Sequence, residues 1–283
     1  MDGLYSLGQL SVPLEDISGS RRPDMCRSYN EYIASGLYDS RYPKPNRRVL
    51  RTALAALPRE GRFLDFGAGP GRYTLPLLAL SDAGGIAYDI SQAACATLVL
   101  RANAFVTAGR LKVVGGPLGG LVDDAGEPFD LVMLAFGVLG HVSGRASRLA
   151  ILRTLRNLMS PTGTILLGLP NVLRRFRAEQ SASKVLVRVG ELERGDILYR
   201  RTTDIGPIDM FYHLYSVKEA CRELADAGFA VDTVTPESIL PESLAVSRRR
   251  LGRFDDALSS ILPASLGYGL LITAHPEPDG ATR

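Results

Sequence analysis

A loop with glycine at every second position follows a short apolar run, in the segment R-F-L-D-F-G-A-G-P-G-R-Y at residues 62–73. Glycine lets the backbone turn sharply and lets a ligand lie against it, and the helix-like pattern after the loop offers unpaired N–H groups to a negative group. The dinucleotide fingerprint needs a further glycine where Arg72 stands, so the loop is a poor match to an NAD or FAD site. The segment predicts a site for another nucleotide-type ligand, with a purely structural turn as the alternative.

A second carboxylate lies at the end of the next strand-like run, I-A-Y-D, which closes on Asp89. A carboxylate at this place in a strand–helix–strand unit can accept hydrogen bonds from both hydroxyls of a ribose. The alternative is an ordinary capping aspartate, because Ser91 begins the next helix-like pattern. We interpret Asp89 as the ribose ligand.

The elements that must position these residues alternate along the chain. Strands are predicted at residues 63–66, 86–89, 111–114, 129–136, 164–169, 229–234 and 269–274, with helical patterns between most of them. Repeated strand–helix units predict an α/β fold with a mostly parallel sheet of seven strands and helices on both faces. Further helices are predicted after Asp24 and after Asn46, and a hairpin at residues 196–203 and 208–215.

These motifs together resemble the class I S-adenosylmethionine (SAM) methyltransferases, from about Asn46 to Ala274. In that family the motif I carboxylate and glycine loop hold the methionine end of SAM, and the acid after the second strand holds the ribose. The resemblance therefore implies a Rossmann-like fold with SAM as cofactor. The residues implied for these two contacts are Asp65, Gly67, Ala68, Gly69, Gly71, Asp89 and Ile90.

Two further segments carry the resemblance. Residues 129–141, F-D-L-V-M-L-A-F-G-V-L-G-H, look like motif IV, and residues 158–167 look like the turn and fifth strand of the family. The first implies that Ala135, Phe136 and Gly137 lie beside the cofactor. The family often has an acid after the third strand that meets the adenine amine, but here the run is V-G-G-P-L, so backbone groups near Gly116 and Leu118 are implied instead.

Methyl transfer needs an in-line nucleophile in a dry pocket, and a base only if the nucleophile starts protonated. The candidate catalytic residues are His141, Tyr212 and His213, and packed histidines are the alternative. Aromatic faces attract a cationic sulfonium, so the N-terminal tyrosines could fold over the cofactor, although those in the first helix could simply pack that helix on the sheet. The candidate substrate-binding tyrosines are Tyr29, Tyr32, Tyr38, Tyr42 and Tyr215.

Length and composition limit the class of protein. The 283 residues are 46% hydrophobic, enough for one substantial core, and no apolar run is long enough to span a bilayer. The three cysteines are far apart and form no C-x-x-C pair, which predicts a reduced, cytoplasmic protein without a metal site. We expect cap helices and a loose tail at 1–45, a SAM-binding core at 46–170, a lid insertion at 171–215 and the rest of the sheet at 216–283.

Three functions are compatible with the sequence. The first is methyl transfer to O or N of a small-molecule acceptor, since a net charge of +3 fits a neutral substrate. The second is tRNA modification, because the run M-F-Y-H-L-Y and the later A-G-F are similar to wobble-uridine carboxymethyl methyltransferases, and arginines cluster at 174–177 and 248–253. Such clusters are also typical of solvated helix faces. The third is a SAM-binding partner protein without catalysis.

Overall fold

Nine strands form the framework of residues 22–278, which are the residues that the computed structural model describes. Much of the loose tail predicted within 1–45 therefore lies outside the described residues. The strands are β1 (Arg62–Phe66), β2 (Gly84–Asp89), β3 (Leu111–Gly115), β4 (Phe129–Leu134), β5 (Met159–Pro170), β6 (Asp196–Thr203), β7 (Gly206–His213), β8 (Phe229–Ser238) and β9 (Gly269–Pro276).

Seven of these strands form one sheet in the order β3-β2-β1-β4-β5-β9-β8. The first five are parallel, whereas β9 runs antiparallel to both β5 and β8. This confirms the predicted Rossmann-like, mostly parallel sheet. The register pairs Asp65 with Ala87 and Phe66 with Tyr88, so β1 and β2 end at the same edge and bring the glycine loop beside Asp89.

Helices cover both faces of the sheet. The helices are α1 (Met25–Ala34), α2 (Leu37–Arg41), α3 (Arg47–Ala56), α4 (Thr74–Leu80), α5 (Gln92–Arg101), α6 (Asn103–Thr107), α7 (Leu118–Asp124), α8 (Arg145–Asn157), α9 (Arg177–Ala182), α10 (Lys184–Arg188), α11 (Val217–Asp226), α12 (Glu242–Ser247) and α13 (Arg249–Ile261). One core cluster joins the sheet to α7, α8 and α11, and a second joins it to α3, α4 and α5. Alternation along β1 places Leu64 in the first cluster and Phe63 in the second.

Local sequence signals fix several helix starts as predicted. The side chains of Asp24 and Asn46 accept backbone N–H bonds at the starts of α1 and α3. Ser216 and Glu219 form the predicted capping box of α11. These short-range bonds satisfy N–H groups that a helix leaves unpaired, which is why the sequence predicts them well.

Several elements depart from their predicted bounds. The helix predicted from Ser91 to Gly109 breaks at Ala102 into α5 and α6. Strand β5 begins at Met159, earlier than expected. Strand β4 ends at Leu134, because Phe136 (φ 62°) and Gly137 (φ 79°) adopt the left-handed conformation and turn the chain into a 3-10 segment, Ala135–His141.

The remaining two strands, β6 and β7, form the predicted hairpin as a separate sheet. The second strand starts at Gly206 and ends at His213, two residues earlier than predicted. The hairpin packs against α1 and α2 through a third apolar cluster, rich in tyrosine, that also includes Phe136. It therefore contacts the 3-10 segment that follows β4. None of the helices within residues 22–278 is long and apolar enough to cross a membrane.

Candidate active site

A cavity of about 340 Å³ lies where the strands β1, β2 and β4 end. This volume is typical of a small-molecule site. Of the predicted cofactor ligands, those that line the cavity are Gly67, Ala68, Gly69, Asp89, Ile90, Gly116, Leu118, Ala135 and Phe136. Asp65, Gly71 and Gly137 lie in the surrounding segments without lining it.

The glycine loop is held by the neighbouring strand. The amides of Gly67 and Ala68 donate to the carbonyl of Tyr88 over 2.7 and 3.0 Å. Gly67 has φ 79°, and a Cβ there would lie 2.5 Å from a methyl group of Val138. Only glycine fits this conformation and this close contact, so the loop can pack directly against Val138.

Asp89 is fixed at the cavity wall by two amides. Its Oδ2 accepts from the Gly69 N–H and its Oδ1 from the Ser91 N–H, each over 2.8 Å. Burial raises the pKa of Asp89, although both amide bonds oppose the shift. An ionised carboxylate has about four acceptor positions, so two positions remain for hydroxyl groups of a ligand.

Asp65 lies beneath the loop rather than at the cavity surface. It is buried, and its Oδ2 accepts a 2.6 Å hydrogen bond from the Thr74 hydroxyl at the start of α4. Burial raises the pKa of Asp65 to about 7, with Thr74 opposing and the charge of Asp89 adding to the shift. A cation bound above the loop would favour the ionised form of this carboxyl group.

A histidine–tyrosine pair lies on the cavity wall. The imidazole Nδ1 of His141 lies 2.8 Å from the Phe211 carbonyl, which can only accept, so Nδ1 carries the proton. The Nε2 atom then accepts from the Tyr29 hydroxyl over 2.7 Å. Burial lowers the pKa of His141 to about 3, and burial raises the pKa of Tyr29 well above its ordinary value. Both side chains are therefore neutral near pH 7, with Nε2 as the basic atom.

The other predicted catalytic residues occupy different environments. Tyr212 is buried and stacks on the His141 ring, with centroids 4.2 Å apart. His213 points elsewhere: its Nδ1 lies 2.6 Å from Asp196 and its Nε2 3.3 Å from Glu219. Burial alone lowers the pKa of His213, but the bonds to these two carboxylates raise it above its ordinary value. Neither Tyr212 nor His213 lines the cavity.

The predicted substrate tyrosines divide into two groups. Tyr29 and Tyr38 line the cavity. Tyr32 and Tyr42 lie one ring further away, with Tyr32 5.9 Å and Tyr42 5.7 Å from the Tyr38 ring. Tyr215 is buried in the first core cluster and donates to Glu223 over 3.3 Å, so it does not reach the cavity.

Several residues at or near this site carry no sequence signal that predicts their position. The cavity wall includes Met25, Ile33 and Val138, which belong to no motif. Arg175 and Arg201, behind the wall, pack against tyrosine rings although arginine runs usually lie in solvent. Only the alternation along β6 gives a hint, since it places Arg201 and Tyr199 on one face.

The chain is similar to known methyltransferases. A family profile described as a methyltransferase domain matches residues 38–234. Among solved structures, the CcbJ methyltransferase from Streptomyces caelestis aligns with a TM-score of 0.59 and 17% identity, covering 83% of this chain and 91% of the other. A SAM-dependent methyltransferase from Methanosarcina mazei aligns with a TM-score of 0.58 and 16% identity, covering 80% and 96%.

A third structure shows the same fold with a bound ligand. The glycopeptide N-methyltransferase MtfA, in complex with SAM, aligns with a TM-score of 0.52 and 21% identity, covering 83% of this chain and 88% of the other. At these identities the structural alignments show only a shared fold. The family profile is the stronger finding, because it matches well over half of the chain. A search of curated protein sequences finds no significant match.

Proposed function

Because this chain belongs to the family of class I SAM-dependent methyltransferases, we propose that it transfers the methyl group of SAM to an oxygen or nitrogen atom of a small-molecule acceptor. The observation that carries the proposal is the shared cavity. The glycine loop and Asp89 line the same space as Tyr29 and His141. A cofactor and an acceptor atom can therefore meet beside a basic nitrogen.

The residues present fit the cofactor. Asp89 keeps two acceptor positions for ribose hydroxyls, and a Cβ on Gly69 would meet nothing nearer than the Tyr38 hydroxyl at 3.8 Å, so the loop is open to the cavity there. Asp65, beneath the loop, becomes a stable anion when an ammonium group lies above it. SAM, when bound, supplies a methyl group on a cationic sulfur. The tyrosine rings around the cavity stabilise positive charge through their faces.

His141 is suited to take a proton late in the reaction. Its Nδ1–H bond to the Phe211 carbonyl fixes the tautomer in which Nε2 carries no proton, and the Tyr29 hydroxyl donates to that atom. Because burial lowers the pKa of His141 to about 3, it is a weak base toward a neutral hydroxyl or amine. The proton of the acceptor atom becomes strongly acidic as that atom gains the methyl group, so a weak but well-placed base suffices.

The N-terminal helices and the insertion after β5 enclose the acceptor in this proposal. Tyr29 reaches the cavity from α1, while Phe211 and Tyr212 of β7 orient the His141 ring from behind. Residues 171–215 then act as a lid whose main task is to exclude water and hold the acceptor in line. The lid places no charged side chain on the cavity wall.

The test compares turnover with cofactor binding. Methyl transfer from radiolabelled SAM is measured on a panel of small phenols, amines and acids, and separately on tRNA. His141→Ala is expected to lower turnover on the best small acceptor roughly 10²- to 10⁴-fold and to leave SAM affinity in calorimetry unchanged. His275→Ala is the matched control, because His275 is exposed and paired with Asp232 on β8. Unchanged turnover in His141→Ala would show that His141 is structural, and transfer to tRNA alone would overturn the proposed function.

A further inference from the structure

Unpaired polar atoms collect behind the cavity wall. In the described residues, the buried atoms without a hydrogen-bond partner include Tyr32 Oη, Arg72 Nη1, Arg175 Nε, Arg201 Nε and Glu237 Oε1. Folded proteins pair nearly all such atoms, and each unpaired one costs about 1–3 kcal/mol. Five of them in one region indicate that a polar ligand belongs there.

Ring contacts show that these side chains are neighbours. The guanidinium carbon of Arg201 lies 4.9 Å from the centre of the Tyr32 ring and 5.2 Å from that of Tyr199. The guanidinium of Arg175 lies 5.4 Å from the Tyr212 ring, whose centre is 6.2 Å from that of Tyr199. Tyrosine rings therefore link the two cations.

Two of these arginines have no carboxylate partner within the described part of the chain. Arg201 makes one weak hydrogen bond, 3.5 Å to the Tyr199 hydroxyl, and otherwise contacts rings. The guanidinium of Arg175 lies over the rings of Phe176, Tyr212 and Tyr268, and no carboxylate of the described residues forms an ion pair with it. Burying a guanidinium group without a counter-charge costs free energy, and buried guanidinium groups in proteins are normally paired with an acid.

The neighbouring acids do not supply the missing charge. Arg72 is already paired with Glu242 over 2.6 Å. Glu237 is the remaining buried carboxyl group nearby, and burial together with the charge of Glu242 raises its pKa well above the ordinary value. The charges of Arg175 and Arg72 oppose this shift without cancelling it, so the charged form of Glu237 is disfavoured and Glu237 is a poor counter-charge for Arg175 and Arg201.

The charge lies close to the reaction centre. Tyr212, which contacts Arg175, stacks on His141 at 4.2 Å. Tyr32, which contacts Arg201, lies 6.3 Å from Tyr29 on the cavity wall. Each guanidinium therefore contacts a ring that in turn contacts the Tyr29–His141 pair. Both charges also act on His141 itself, since after burial the charges of Arg201 and Arg175 contribute to its lowered pKa.

Resting on the proposed methyl transfer, we propose that the acceptor is a small aromatic anion whose carboxylate or phosphate group binds Arg201, with Arg175 as the second cation. The oxyanion pairs with the buried Nε–H of Arg201, and guanidinium geometry suits both carboxylate and phosphate. The ring of the acceptor packs among tyrosines while its nucleophilic atom faces His141. The net charge of +3 is a sum over the whole chain, so it does not show the local positive charge of Arg175 and Arg201.

Binding of simple anions tests the site without turnover. The full-length protein is saturated with S-adenosylhomocysteine and titrated in a calorimeter with benzoate, phenyl phosphate and the neutral benzamide. We expect at least one anion to bind at least tenfold more tightly than benzamide, and the preferred anion distinguishes carboxylate from phosphate. Equal or tighter binding of benzamide would overturn the inference.

Two substitutions on strand β6 test whether Arg201 is the residue that binds the anion. Arg201→Met is expected to weaken binding of the preferred anion at least tenfold, while its unchanged affinity for S-adenosylhomocysteine shows that it is folded. Arg200→Met is the matched control, because Arg200 is paired with Asp209 over 2.5 and 3.0 Å. Wild-type anion affinity in Arg201→Met, or an equal loss in Arg200→Met, would contradict the assignment.

Turnover separates this inference from the proposed function. Hydroxybenzoates are compared with the matching hydroxybenzamides as methyl acceptors. If the amides are methylated as fast as the acids, the anionic acceptor is wrong while small-molecule methyl transfer stands. If tRNA is methylated and no small compound is, the proposed function is wrong, and the calorimetric comparison still decides whether Arg201 binds anions.

Discussion

At the scale of single residues, we expect cofactor binding to depend most on the side chain of Asp89. It holds the Gly69 and Ser91 amides and still offers two acceptor positions to the cavity. A hydrogen bond to a charged group contributes about 1.5–3 kcal/mol, so Asp89→Ala is expected to weaken S-adenosylhomocysteine binding tenfold or more. Calorimetry measures the affinity.

The control for this substitution is Asp82→Ala. Asp82 is exposed and pairs only with the exposed Arg59, so its loss is expected to leave affinity unchanged. Thermal unfolding without ligand shows whether Asp89→Ala remains folded. A folded Asp89→Ala protein with wild-type affinity would remove Asp89 from the cofactor site.

The His141 pKa gives a second residue-scale prediction. Because burial lowers this pKa to about 3, the imidazole is neutral, and able to accept a proton, at every pH above that value. We therefore expect kcat at saturating SAM to show no inflection near pH 6.5 as the pH falls from 8 to 5. An ordinary histidine base would lose activity through this window, since its pKa is about 6.5. A fall of kcat centred near 6.5 that disappears in His141→Ala would contradict the buried, neutral imidazole.

At the scale of elements, the 3-10 segment after β4 and the hairpin position each other. A Cβ on Gly140 would lie 2.7 Å from the Tyr212 ring and 2.8 Å from the His213 carbonyl oxygen. Gly140→Ala must therefore push the hairpin away from the segment that carries His141. We expect a loss of about 1–3 kcal/mol in the free energy of unfolding, as for other overpacked sites, together with lower turnover.

Gly120→Ala is the comparison for this substitution. Gly120 lies in α7, and a Cβ there would meet nothing within 4 Å. Alanine in a helix reduces the entropy of the unfolded chain, so a gain of about 0.4–1 kcal/mol is expected, with unchanged turnover. Urea unfolding of both variants measures the difference. If Gly140→Ala is as stable and as active as Gly120→Ala, the close packing of the segment and hairpin is wrong.

The elements that could be predicted from the sequence are those fixed by local chemistry. Asp24, Asn46 and Ser216 satisfy N–H groups within three residues, and the apolar run of β4 matches a strand covered on both faces. The end of β4 could not be predicted, because the left-handed Phe136 is held by contacts with Tyr42 and Arg72 from other parts of the chain. Such a conformation costs about 1–3 kcal/mol, and only tertiary packing offsets it.

At the scale of the whole molecule, a buried ion cluster joins the insertion to the main core. Arg148 of α8 pairs with Glu223 of α11 over 2.7 Å. It also pairs over 3.1 Å with Glu193, which precedes the hairpin in the sequence. His213 of β7 joins the same group through Asp196 and Glu219. These ion pairs hold the side chain of His213 away from the cavity, although His213 directly follows Tyr212 in the sequence.

The His213 pKa makes this connection dependent on pH. Its two carboxylate partners raise the pKa in the folded state, so the contribution of the charged imidazole is fully present below the unfolded pKa of about 6.5. It is lost as the pH rises through the higher folded pKa. Glutamine stays neutral, so His213→Gln is expected to cost more unfolding free energy at pH 6 than at pH 9, by about 1–3 kcal/mol. Urea unfolding at both pH values measures this, and an equal or larger cost at pH 9 would contradict a charged His213.

The candidate site was only partly predictable from the sequence. The residues of its cofactor side lie near one another in the sequence, whereas those of its acceptor side are far apart. The loop and Asp89 come from adjacent strand–helix units, so the spacing in the sequence shows them. Tyr29 and His141 are 112 residues apart, and their hydrogen bond exists only because α1 packs against α5 and β7, beside the 3-10 segment that ends at His141. Arg201 comes from a hairpin whose position relative to the sheet no local pattern encodes. The methionine and ribose ligands could thus be proposed from sequence, whereas the acceptor side needed the fold.

The distribution of charge over the whole surface bears on tRNA as an acceptor. Many arginines are paired with acids of other elements, as in Arg51–Asp256, Arg101–Asp39 and Arg145–Asp226. The exposed Arg248, Arg250 and Arg253 lie close together in the sequence and offer a small basic patch on a protein of net charge +3. We expect tRNA to bind only non-specifically, with a Kd of about 10⁻⁴–10⁻⁶ M at physiological salt. Replacing these three arginines by glutamine should weaken that binding and leave turnover on small acceptors unchanged. Filter binding across a salt series measures it, and a nanomolar Kd together with methyl transfer to tRNA would instead make this patch part of a nucleic-acid site.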